Sequence, residues 1–171
     1  MNLNTLTDLY RHLEWADAAV WTSVFASENG SADTKLRDYL YHLHMVQYAF
    51  LRLWHGEGRD MSYPTFDNAE SLMDWARAYY GKAFTHLDTL SDDKLTETMS
   101  LPWAKMIEEQ LGRPPEASTL GDTVLQVALH SQYHRGQVNA RLRAIGGEPP
   151  IVDYIAWVWC GRPSPDWPQG A

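Results

Sequence analysis

The segment His130-Ser131-Gln132-Tyr133-His134-Arg135-Gly136-Gln137 sets two imidazoles four residues apart. On an α-helix, residues i and i+4 face the same way, so His130 and His134 can close on one metal ion, as in other helical H-x-x-x-H sites. Two neutral histidines packed into a core would show the same spacing. A metal inside a helical bundle draws further ligands from facing helices. The segment from Tyr39 to Phe50 offers two candidates, His42 and His44. Helical geometry leaves both open and leans to His42, which lies beside Leu43 and one turn before Val46.

The other histidines carry weaker signals. His12 and His86 stand alone on amphipathic segments and read as rim or solvent-facing residues. His55 sits at a helix C-terminus, where a cation is favoured anyway. No carboxylate, serine or cysteine near the histidine run announces itself as a base or nucleophile. The single cysteine, Cys160, reads as a small buried residue in an aromatic segment. Arg135 reads as the partner of an acid on a neighbouring helix, and Gly136 as a place where another helix could come close.

The elements that must carry these residues are helical. Residues 3–27 place Leu6, Leu9, Tyr10, Leu13, Ala16, Val20 and Val24 at helical spacing, and Asn29-Gly30-Ser31 ends the run. A second helix is expected from Asp33 to His55, stopping at Gly56-Glu57-Gly58. Residues 59–68, with Pro64, read as a loop, and a third helix as Ala69 to Leu90. Residues 91–117 are mixed, with a short strand expected from Thr96 to Trp103. A fourth helix opens at Ser118 or Thr119, either a good N-cap, and ends at Gly146-Gly147 before Pro149-Pro150. Its apolar stripe is Leu120, Val124, Val127, Ser131, His134, Val138, Leu142 and Ile145. A last short helix is expected over Val152 to Cys160, followed by an irregular proline-rich tail. Four long amphipathic helices define an all-α four-helix bundle with a short C-terminal helix.

Composition narrows the function classes. The net charge of −8 and pI near 5.2 repel phosphate backbones, so nucleic acid is not an expected partner. No apolar run approaches the roughly 20 residues of a membrane span, and the N-terminus lacks the order of a signal peptide. One cysteine excludes an internal disulfide, which fits a cytoplasmic protein. Residues Tyr154 to Trp159 are apolar on every side, which a bundle surface cannot fully cover, so a homodimer is expected. The alternative is that this helix folds over the bundle end and is buried.

The histidine run, followed by Arg141, Gly146, Pro149-Pro150 and Asp153, resembles the C-terminal signature of the DinB-like (damage-inducible) superfamily of metal-dependent enzymes. His42, Leu43 and Phe50 are similar to that family's second-helix pattern, with Phe50 where tryptophan is more usual. Leu13-Glu14-Trp15-Ala16-Asp17 is similar to its first helix. The resemblance runs from about residue 5 to 160 of a chain taken as one domain, 1–171. It implies an up-down-down-up bundle and one divalent metal held by three side chains. Matched residue by residue, these are His42, His130 and His134, which selects His42 over His44.

Three imidazoles with an open position describe a catalytic metal site. Zinc or nickel suits it, and iron or manganese would fit the same nitrogens. The resemblance implies thiol-dependent chemistry, because members of the superfamily include isomerases and S-transferases that use mycothiol, bacillithiol or glutathione. The leading expectation is therefore a low-molecular-weight thiol S-transferase. A metal-dependent hydrolase and a non-catalytic, stress-related metal- or ligand-binding module are the alternatives. Homodimers are common in that superfamily as well.

Overall fold

The structure is a computed structural model that describes residues 2–57 and 62–169. The end of the expected stop at Gly58 and the first loop positions, 59–61, lie outside the described residues. The helices start where short polar side chains can satisfy free N–H groups. Asn2 opens α1 (Leu3–Ala26), Asp33 opens α2 (Thr34–Trp54) and Asn68 opens α3 (Ala69–Leu87), each accepting from the backbone N–H three residues on. The long helix of the histidine run, α5 (Leu120–Ala144), begins at Thr119 with a capping box closed by Asp122.

Contacts at opposite ends of each helix pair fix the directions. Tyr10 donates to the Val124 carbonyl and Asp17 meets Arg135, so α1 and α5 run parallel. Trp54 donates to Thr123 Oγ1 at 2.9 Å while Arg141 donates to Asp33 at 3.0 Å, so α2 and α5 are antiparallel. Tyr80 donates to Asp17 and the Leu3 N–H to Asp92, which makes α1 and α3 antiparallel. Arg37 reaches the Asp67 carbonyl and Tyr48 the Trp75 carbonyl, which makes α2 and α3 parallel. The result is the expected up-down-down-up bundle, with α1 and α2 across the diagonal. No helix among the described residues is long and apolar enough to cross a membrane.

The segment between α3 and the last long helix departs from expectation. A 3-10 turn covers Lys94–Thr96, and the expected strand shrinks to Thr98–Met99 (β1), paired antiparallel with Ser118–Thr119 (β2). A helix, α4 (Ala104–Leu111), occupies the interval and is closed by Gly112 in the left-handed region at φ 68°. It buries none of its residues, and its cap residue Trp103 makes no side-chain capping bond, so neither a core stripe nor a cap marks it in the sequence. α5 then spans Leu120–Ala144 and ends against Gly146, at φ 88°.

The C-terminal helix α6 (Tyr154–Trp159) buries Trp157, whereas Ile155 and Trp159 remain 49% and 78% exposed, so the segment is not folded away. Cys160, expected to be buried, is exposed. The tail does return to the bundle: Trp167 is buried against Tyr80 and donates to Glu14 at 3.3 Å.

Two leucines separate core from surface. Leu13 is 2% exposed on α1, and Leu129 is 59% exposed on α5. Leu13→Ala should cost about 2–5 kcal/mol in urea unfolding, and Leu129→Ala less than about 0.5 kcal/mol. Equal losses would contradict this packing.

Candidate metal centre

His42 stands on α2, and His130 and His134 stand on the antiparallel α5. Each offers one ligand atom, and the three atoms lie within 4.8 Å of one another. The rings are packed closely, with centroids 4.3 Å apart for His130 and His134 and 4.4 Å for His42 and His134. Three nitrogens around a tetrahedral ion at about 2.0–2.1 Å lie roughly 3.4 Å from each other, so small side-chain adjustments would close the site. Two further observations fit a metal. His130 Nε2 is buried without a hydrogen-bond partner. His134 Nδ1 pairs with Gln137 Oε1 at 2.8 Å, which makes Nδ1 the protonated nitrogen and leaves Nε2 free to ligate.

The site lies along the seam of α2 and α5 rather than in the bundle interior, and none of the three rings is fully buried. The expected stripe on α5 needs correction at this point. The fully buried residue of that turn is Arg135, and His134 flanks it. Burial, with the neighbouring His134 and His42, pushes His130 down to about 4. Burial and His134 also lower His42. Both are therefore neutral near pH 7, the form that binds metal.

His44 points elsewhere. Its Nδ1 donates to Gln47 Oε1 at 2.9 Å and its Nε2 accepts from Trp21 at 3.1 Å, so both nitrogens are engaged. The structure thus brings His42, not His44, to the pair on α5. His12, expected at the rim, is buried and bonded through Nε2 to the Val152 carbonyl at 2.9 Å. His86, expected at a rim or solvent-facing position, is half-buried: it stacks on Trp54, and its Nε2 is enclosed without a partner. His55 faces His86 at the end of α2. A Cβ on Gly136 would meet open space, so no helix packs closely there and nothing in the structure explains the glycine.

A buried polar layer that sequence reading did not assemble lies beneath the histidines. Arg135 donates from Nε and Nη2 to one oxygen of Asp17, at 3.0 and 2.8 Å. Tyr80 and Gln47 donate to the other oxygen, and Gln47 also reaches Ser131 at 3.2 Å. Burial would raise Asp17, but Arg135 and the two hydrogen bonds hold its carboxyl below the usual range. The pairing of Arg135 with an acid was legible, but its partner was not. A signal existed: Asp17 and Arg135 each interrupt an apolar stripe, four residues after Leu13 and three before Val138.

A four-helix bundle with three imidazoles converging from two of its helices forms a cluster that could hold a metal ion. The chain belongs to the DinB family, which matches residues 1–163. Comparison with curated proteins and with solved structures finds no match.

Burial lowers His12, His42, His44, His86 and His130 alike. Between the ordinary histidine value and about 4, where His130 titrates, the unfolded chain binds more protons than the folded one. Stability of the metal-free protein should therefore fall as pH drops from about 6.5 towards 4. Urea unfolding in a chelator across that range checks this, and His130→Gln should flatten the slope.

Proposed function

We propose that this chain is a metal-dependent enzyme whose one divalent ion is held by His42, His130 and His134, acting as a low-molecular-weight thiol S-transferase on electrophilic compounds. The observation that carries the reading is the convergence of three partly exposed imidazoles from two antiparallel helices. Three protein ligands leave a coordination position for a reactant, the arrangement of catalytic rather than structural sites. Zinc or nickel suits the donor set, and iron or manganese could use the same nitrogens. A divalent ion there lowers the pKa of a thiol or water reaching its open side. The residues of the chain supply the rest: three imidazoles to bind, and Gln137 to orient His134.

Thiol chemistry is favoured over hydrolysis by what stands between the two ligands on α5. In an H-E-x-x-H metalloprotease the intervening glutamate is the general base. Here Ser131, Gln132 and Tyr133 fill the interval, and among the described residues no carboxylate joins the three histidines. The net charge of −8 suits small-molecule substrates in the cytoplasm better than nucleic acid.

Elemental analysis with steady-state assays tests the reading. The purified protein should carry one divalent ion per chain and turn over a thiol with an electrophile. Alanine at His42, His130 or His134 should abolish both, while His44→Ala keeps one-to-one stoichiometry at saturating metal. Turnover of esters or amides without thiol transfer would support a hydrolase. A bound ion with no turnover on any thiol would support a non-catalytic sensing module.

We also propose a homodimer formed through the apolar face that Ile151, Ile155 and Trp159 leave exposed around α6. Sedimentation on the order of tens of micromolar should show twice the 19.6 kDa chain mass, with Trp159→Glu shifting the protein to monomer. A wild-type protein that sediments as a single 19.6 kDa species rejects the dimer.

A further inference from the structure

We propose that the buried layer built on Asp17 and Arg135 positions the metal ligands, by locking the rotation of α5 and α2 about their own axes; the inference rests on the metal reading above. Ser131 and Arg135 each follow a ligand histidine by one residue, so they point roughly 100° around α5 from it. Ligands face the groove and their neighbours face the core. On α2 the same division separates His42 from Gln47, which is buried. Gln47 donates to both Asp17 and Ser131, so a single amide ties α2 to α1 and α5 within one or two turns of every ligand. Arg135 completes the lock, because its two N–H groups converge on one carboxylate oxygen of α1.

Rotation matters because ligands are remote from the helix axis. A nitrogen about 6 Å out moves roughly 2 Å for every 20° of axial rotation. Metal–ligand distances tolerate about 0.2 Å. Apolar packing of the right volume keeps a bundle folded while losing uniqueness of arrangement. Hydrogen bonds are directional, and a fork that must meet a carboxylate admits one rotation. A buried ion pair is weak evidence for stability, since well-packed apolar residues commonly replace one without loss. Stability alone therefore does not account for Asp17 and Arg135 at 2% and 1% exposure, and the ligand one residue before Arg135 points to another role. These are positioning residues: nothing in the structure brings them to the groove side where a reactant would sit.

The test compares metal affinity with fold stability in the full-length protein, using zinc titration calorimetry, cobalt(II) absorption and the thermal midpoint of the metal-free form. Asp17→Leu combined with Arg135→Met removes the lock while filling its volume. Arg135→Lys keeps the charge but cannot make the two-pronged contact. We expect zinc affinity to fall roughly 10–100-fold in both variants, with an altered cobalt spectrum. The metal-free midpoint of Arg135→Lys should stay within a few degrees of wild type. If Arg135→Lys is folded and binds zinc within about twofold of wild type, with an unchanged cobalt spectrum, the inference fails and the metal reading stands. Affinity losses that follow the thermal midpoint in proportion across both variants would also overturn it, since the layer would then be structural only. A wild-type protein that takes up no divalent ion would remove the metal reading itself, and this inference with it.

Discussion

A carboxylate sealed in the middle of a helical bundle is an expensive object, and the chain is organised around keeping one satisfied. Asp17 receives donors from three other helices: Arg135 of α5, Tyr80 of α3 and Gln47 of α2. Removing any one leaves a buried polar atom short of a partner. The four long helices therefore meet at one layer, which sets their level and rotation relative to one another. Aliphatic and aromatic packing above and below supplies most of the favourable free energy, but it would accept other rotations of the same helices. Specificity of arrangement and magnitude of stability thus come from different residues.

The two sides of α5 divide the chemistry. Its inward face presents serine and arginine to the polar layer, and its outer flank presents His130 and His134 to the groove shared with His42. At 3.6 residues per turn, the residue after each histidine turns roughly 100° away, which puts the two sets on different sides of one helix. His42 and His130 are kept neutral near pH 7 by partial burial and by the neighbouring histidines. His44, only two residues from His42, is drawn to the inner side and spends both nitrogens on Gln47 and Trp21. The same residue type thus forms a cluster that could hold a metal ion on one face and serves structure on the other.

Much of the architecture was legible because its signals are local. Asn2, Asp33, Asn68 and Thr119 cap helices whose apolar positions recur at helical spacing, and glycines follow the ends of three of them, at Gly30, Gly56 and Gly146. The histidine spacing on α5 needed no tertiary information. The choice of His42 did, and it came from family resemblance rather than from periodicity. What escaped was tertiary in origin. α4 has no buried residue and no side-chain cap, so its pattern resembled an irregular segment. His12 reads as a rim residue until α6 is known to cover it. Cys160 reads as buried because its neighbours are aromatic, yet they are themselves partly in solvent. The polar layer was half visible: charged residues on apolar stripes mark buried pairs, but their partners lie on helices far away in sequence.

Asp17 and Arg135 are 118 residues apart, and this separation has a meaning in time. At about 5–20 residues per second of synthesis, the first helix emerges roughly 6–24 seconds before the arginine that neutralises its carboxylate. Through that interval the aspartate has no counterion within its fold and is best left in water. α1, α2 and α3 can gather their apolar faces, but the layer that orders them cannot close. Completion of the bundle therefore waits on its last long helix, since the segment that carries His130 and His134 also brings the arginine that closes the central layer.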